Sequence, residues 1–476
     1  MGMHHRIGIL AFLILFSSGL AQSYPVFKSN ERVAFIGDSI THGGMYLPYI
    51  QTFYTTRFPN QNVRLFNLGI AGDTAKGGWE RCSLREEGLW ESDVRSYRPT
   101  AAVIMFGMND ASSSIFSLSQ SVDELEQKIR QRIGWFKDSY GRMLDQLQAL
   151  EIDSIGLITS SLYDQTMIDP SARENIMLYG VGKNDLICRM SREVIDVEAA
   201  QRNLARIDFN TPMDELNRRQ QILDPAFSII GSDRVHPGAS GHMVMAYLFL
   251  KAQSLEGAVA QVEVDTERRE VSSVFNSSVK ELEVKKGQGL RFNYRANSLP
   301  FPPILYQPVD DLIPFDQEFN QERLIVKGLR AGRYALKMDE VLLGCYTANE
   351  WMSGINLAQF EDAPQVRQAQ EVWQMCQERS RLASITRNIV WSDNQLRKVD
   401  GLERSNLDAC KSEVARMLET DGSLTPYMKR VLQDYIVYVD QYQILRDKMN
   451  VLADQMVDQA QPTWRSIDLI LVDEAF

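Results

Sequence analysis

Cysteine and histidine are scarce in this 476-residue chain, with five of each. Cys82, Cys188, Cys345, Cys376 and Cys410 are too few and too scattered for a disulfide scaffold, and no CxxC pair offers metal or redox chemistry. An odd number leaves at least one thiol free. Cys376 and Cys410 fall on neighbouring helical segments and could either pair or stay as buried thiols. Basic clusters are missing too, and the formal net charge of −11 repels phosphate backbones and anionic membranes, which excludes nucleic acid as a partner. There is no Gly-X-Y period, Gln/Asn tract or Pro-rich stretch. With 44% hydrophobic and 24% charged residues, the composition is that of a globular protein of two to four domains, not a collagenous, disordered or polytopic membrane chain.

One apolar run stands out. Met1 to Arg6 is short and basic, Ile7 to Leu20 is uncharged and mostly apolar, and Gly19-Leu20-Ala21 places small residues where a signal peptidase cuts. Fourteen residues fall short of the roughly 20 that span a bilayer, so 1–21 reads as a signal peptide with no membrane span after its removal, and the protein as secreted or periplasmic. No cysteine follows the run to carry a lipid. His4 and His5 leave with it, so His42, His236 and His242 remain. Three scattered histidines without a carboxylate cluster make no recognisable metal site, and no cofactor motif is present.

From 24 to 255 short apolar runs alternate with longer amphipathic stretches, the pattern of a parallel sheet covered on both faces. Arg32–Ile36, Val63–Leu68, Ala101–Phe106 and Ile155–Thr159 read as strands, with Phe227–Ile230 as a fifth candidate. Leu125, Ile129, Ile133, Phe136, Tyr140, Met143 and Leu147 recur every three or four residues and predict a helix over 122–150. Strand and helix in alternation argue for a doubly wound α/β unit. From 256 to 358 the pattern changes to period two, as in Leu290–Tyr294 and Leu324–Val326, with a hairpin turning near Met338-Asp339; this reads as a small all-β domain. A free module of this size would need its own core and ligand loops, so this one is expected to pack on the α/β unit and wall its cleft. From 359 to 476 the chain reads as a C-terminal helical region with stripes such as Val366, Val372, Trp373, Cys376 and Leu382, expected to pack against its own protein. No sustained heptad marks a coiled coil.

Polar residues collect at the ends of these strands. Strand one runs into Gly37-Asp38-Ser39-Ile40-Thr41, strand two into Ile70-Ala71-Gly72-Asp73-Thr74, and strand three into Gly107-Met108-Asn109-Asp110. The carboxyl ends of parallel strands are where α/β sheets open their ligand crevice. Ser39 needs a base to become a nucleophile. His236 lies in Asp233-Arg234-Val235-His236, with a carboxylate three residues earlier that could hold the ring's other nitrogen. Taken singly, each has a plainer reading: Gly-Asp-Ser as a turn, Asn109 in an Asx turn, His236 as a buried histidine bonded to an aspartate. Asp38 and Asp73 are better turn residues than a glycosidase carboxylate pair. No Gly-x-Ser-x-Gly elbow surrounds Ser39.

In their order, GDSIT, the glycine of IAGDT, GMND and DRVH resemble the four blocks of the SGNH hydrolases, also called GDSL-type esterases, over about Asn30 to Lys251. The resemblance implies a flavodoxin-like three-layer α/β/α catalytic domain. It makes Ser39 the nucleophile and Asp233 and His236 its triad partners, with the N–H groups of Ser39 and Gly72 and the side-chain amide of Asn109 as the oxyanion hole. His42 and Tyr163 are possible substrate contacts; Tyr46 and Trp79 are further aromatic candidates, with packing the plainer role for each. The implied function is a secreted serine esterase removing acyl groups, acetyl first, from a glycan or small-molecule ester. A lysophospholipase or lipase, an acyltransferase of the same fold, and a glycan- or protein-binding scaffold with a vestigial site are the alternatives.

Overall fold

The computed structural model describes residues 23–84, 88–116, 120–152, 154–166, 182–285 and 287–472; the expected signal peptide lies outside them. Five parallel strands form the first sheet in the order β2-β1-β3-β4-β5: β1 (Arg32–Gly37), β2 (Arg64–Gly69), β3 (Ala101–Met105), β4 (Ser154–Ile158) and β5 (Ala205–Ile207). Their central residues, from Val33 to Ile36 and from Ala101 to Ile104, are buried on both faces, which explains the unbroken apolar runs. This is the flavodoxin-like α/β/α order. The fifth strand is Ala205–Ile207 and not Phe227–Ile230, where only an isolated bridge joins Ile230 to Pro237. The helix Val122–Ala149 begins on a capping box between Ser121 and Glu124 and buries Ile133, Phe136, Tyr140, Met143 and Leu147 on the core face.

Residues 301–319, in the interval read as all-β, instead join the core of the first unit. Phe301, Tyr306, Phe315 and Phe319 are buried there, with Phe319 edge-on to Phe53 at 5.8 Å. The period-two segments build two sheets around a separate core. One has the order β13-β10-β6-β7: β6 (Ala260–Asp265), β7 (Glu270–Phe275), β10 (Glu322–Lys327) and β13 (Ile355–Asn356). The other has the order β12-β11-β14-β9-β8: β8 (Ser277–Lys285), β9 (Gly289–Ala296), β11 (Arg333–Met338), β12 (Val341–Thr347) and β14 (Arg465–Val472). Asp339 and Glu340, both at positive φ, make the two-residue hairpin turn between β11 and β12.

β14 corrects the expectation of a wholly helical C-terminus. It inserts between β9 and β11, pairing Ile467 with Phe292 on one side and Met338 on the other, all three buried. Before it come the helices Pro364–Leu396, Leu407–Thr420, Pro426–Tyr438 and Tyr442–Gln459. The first of these, called the long helix below, packs on the helix Tyr46–Arg57 and on β2 as well as on its helical neighbours. Cys376 and Cys410 are buried free thiols, as all five cysteines are free. Among the described residues no helix is long and apolar enough to cross a membrane.

Candidate active site

Ser39 opens a five-residue helix directly after β1, and Asp38 caps that helix by accepting from Ile40 N–H at 3.0 Å. β2 brings its loop against this helix because Gly69 has no side chain; a Cβ there would lie 2.1 Å from the His42 nitrogen. His236 arrives from a turn closed by Gly231 N–H donating to the His236 carbonyl at 2.7 Å. Ser39 Oγ lies 2.8 Å from His236 Nε2, and His236 Nδ1 lies 2.6 Å from Asp233 Oδ2. Asp233 Oδ1 also accepts the backbone N–H groups of Val235 and His236, each at 2.9 Å. Partial burial opposes the Asp233 charge, but the His236 ring and these two N–H groups outweigh it and lower its pKa to about 2. The hydrogen bond to Asp233 in turn raises the His236 pKa against the pull of burial. An ionised Asp233 only accepts, so the neutral ring carries its proton on Nδ1 and presents Nε2 as a base to the Ser39 hydroxyl.

Gly72 and Asn109 reach the same place from β2 and β3. Gly72 has φ +77°, and a Cβ built on it would meet nothing within 4 Å. Its N–H has no partner among the described residues. Asn109 Nδ2 donates to the Asp73 carbonyl at 2.7 Å, which fixes the amide and leaves its second hydrogen. Ser39, Gly72, Asn109 and His236 all open onto one cavity of about 910 Å³.

The remaining walls of that cavity come from the C-terminal helices and not from the all-β domain. Ile385, Asn388 and Trp391 of the long helix and Tyr427, Met428, Arg430, Asp434 and Tyr438 of the helix Pro426–Tyr438 line it. Sequence reasoning missed these residues, since an amphipathic stripe does not say which partner its apolar face meets. His42 lines the cavity but is buried and held at both nitrogens: Nδ1 accepts from Ala71 N–H at 3.1 Å and Nε2 bonds Asn388 Oδ1 at 3.0 Å. Burial, aided by the nearby Arg387 charge, pushes its pKa down to about 3, so the ring is neutral. Tyr163 is buried under the Lys183 ammonium, 4.9 Å from its ring centroid, and is not part of the cavity wall. Tyr46 is buried with its hydroxyl on Thr41 Oγ1, and Trp79 lies under the Arg142 guanidinium in a separate hollow.

Residues 35–244 match the GDSL-like lipase/acylhydrolase family. The chain carries an SGNH, or GDSL-type, domain and is a carboxylic ester hydrolase. An acetylxylan esterase from Geobacillus stearothermophilus is 26% identical over 248 residues, covering 48% of this chain and 96% of that protein. The solved structure of BT4096, a gut microbial diltiazem-metabolizing enzyme, is 28% identical and covers 95% of this chain and 100% of its own, with a TM-score of 0.83. That solved structure therefore spans the β and helical units as well as the catalytic sheet.

Proposed function

We propose that this esterase is a secreted enzyme that cleaves small acyl groups, acetyl first, from carbohydrate or another bulky alcohol through Ser39, His236 and Asp233. The observation that carries the reading is the unbroken hydrogen-bonded line from Asp233 through His236 to Ser39 at the floor of the cavity. His236 Nε2 takes the Ser39 proton as Oγ bonds to the ester carbonyl carbon. The oxyanion so formed accepts from the N–H groups of Ser39 and Gly72 and from the Asn109 amide. His236 then protonates the departing alkoxide as the carbon–oxygen bond breaks. Water enters and gives its proton to His236 while its oxygen attacks the acyl carbon. Ser39 leaves, recovering its proton from the imidazolium, and the carboxylic acid is released. Asp233 stays ionised throughout and stabilises the imidazolium.

The acetyl preference is supported by the acetylxylan esterase relative, and the room for a bulky alcohol by the cavity's size. Secretion rests on the basic, apolar and small-residue segments of 1–21. A longer acyl chain is the second reading, favoured by the apolar faces of Ile385, Trp391 and Met428 in the wall. Turnover of p-nitrophenyl esters of rising chain length, beside acetylated xylan, separates them. Steep decline beyond acetate together with acetate release from xylan is the expected result; preference for long chains moves the assignment to a lipase.

A further inference from the structure

The peptide unit that joins Ala71 to Gly72 is held from outside the catalytic sheet. Residues Ile70 to Asp73 form a β-turn closed by Asp73 N–H donating to the Ile70 carbonyl at 3.1 Å. Gly72, third in this turn, has the φ of +77° that belongs to type II, while Ala71 before it has no positive φ. Glycine at that position is equally at home at negative φ, so the central peptide can flip to type I without moving the flanking chain. The flip reverses the Ala71 carbonyl and the Gly72 N–H together, because they belong to one planar trans unit. A flipped turn would aim the Gly72 N–H away from Ser39.

One bond opposes the flip directly, and it comes from the long helix. Trp391 Nε1–H donates to the Ala71 carbonyl at 3.1 Å. On the other side of the residue Ala71 N–H donates to His42 Nδ1, and His42 Nε2–H is engaged by Asn388 Oδ1 of the same helix. Asn388 is itself fixed by donating to Asp434 Oδ2 at 2.7 Å. Trp391 is buried in one cluster with Ile70, and Ala71 packs against it.

We propose that Trp391 is a positioning residue for catalysis: its indole N–H locks the Ala71–Gly72 peptide in the orientation that presents the Gly72 N–H to the oxyanion. This rests on the reading of Gly72 as an oxyanion-hole donor. It gives the C-terminal helices a part in the chemistry, since the sheet alone leaves the turn free to choose either state.

The test is steady-state hydrolysis of p-nitrophenyl acetate by Trp391→Phe, which keeps the ring and removes the donor, measured beside Asn109→Ala and with a thermal melt of each. The expected result for Trp391→Phe is a kcat lower by about 10-fold to 100-fold with KM within about 3-fold, because a partly populated flip forfeits part of one donor's effect. If Asn109→Ala loses activity while Trp391→Phe keeps kcat within twofold, the positioning role is overturned and the oxyanion hole stands. If neither variant loses activity, the oxyanion hole itself is wrong and the inference goes with it. A change in KM alone makes Trp391 a substrate contact and also overturns the proposal. Gly72→Ala is the second variant should Trp391→Phe fail to fold. Its methyl enters open space, yet an L side chain disfavours the type II φ by about 10-fold, so kcat must fall without a steric clash. Unchanged kcat there contradicts the proposal.

Discussion

Arg387 on the long helix reaches both carboxylate oxygens of Asp93, each at 2.8 Å, and both side chains are fully buried. Arg81, equally buried, donates to the same Asp93 at 2.9 Å and to Asp73 beside the Gly72 turn. One buried ion network thus runs from the helical unit to the Gly72 turn. Removing one member strands a charge where water cannot reach it. Arg387→Leu should therefore lower unfolding free energy by roughly 3 kcal/mol in urea titrations, although the substitution is apolar and the site is buried. A stability unchanged within 0.5 kcal/mol, about the spread of a neutral surface substitution, would mean that Arg81 alone satisfies Asp93.

Truncation before Pro364 takes away β14 as well as the helices. β9 and β11 would lose their shared partner, and Ile70, Trp90 and Leu299 would be left without the cores they belong to. The shortened chain should be recovered only as aggregate, as scored by size-exclusion chromatography. A soluble monomer with wild-type turnover would refute an integral role for the region.

His236 acts as a base only when neutral, and Asp233 raises its pKa above the ordinary 6.5. The rate kcat/KM should therefore climb with pH through a midpoint above 6.5 before levelling. In Asp233→Asn that midpoint should move down and kcat should fall on the order of 10³–10⁴-fold, because the ring loses the partner that sets its tautomer. A pH–rate profile of the two proteins decides this. An identical acid limb in both would remove Asp233 from the triad.

Asp110 bonds Ala75 N–H at 3.1 Å, and burial, with the nearby Asp38 and Asp73 charges adding to it, lifts its pKa to about 7. A carboxyl whose folded pKa lies above its unfolded value holds its proton longer in the folded chain. Its stabilising contribution is complete below about pH 3.8 and is lost as pH rises through 7. Asparagine keeps the acceptor and cannot ionise. Asp110→Asn should melt closest to wild type below about pH 3.8 and increasingly above it as pH rises to 8, by differential scanning fluorimetry. A variant less stable than wild type at pH 8 would show that the ionised carboxylate is the favoured state.

Much of the catalytic sheet and site could be read locally. β1 to β4 are short, mostly apolar runs, and Ser39, Gly72, Asn109 and His236 each sit within a few residues of a strand end or a turn. β5 is only three residues long, too short for its burial to leave a pattern, and Phe227–Ile230 offered a better run that the sheet does not use. The cleft's outer wall escaped for a different reason. Trp391 meets Ala71 across 320 positions and Asn388 meets His42 across 346, and no periodicity reports a partner at that distance. β14 alternates as a strand should, but four helices precede it and its neighbours in the sheet lie more than 120 residues back.

The central claim is that Ser39 is the nucleophile. The most direct measurement is intact-protein and peptide mass spectrometry after reaction with a fluorophosphonate, run on wild type and on Ser39→Ala with p-nitrophenyl acetate turnover in parallel. A single adduct on Ser39 in wild type, with no adduct and no turnover in Ser39→Ala, is the predicted result. Adduct formation at another residue, or turnover that survives Ser39→Ala, would contradict it.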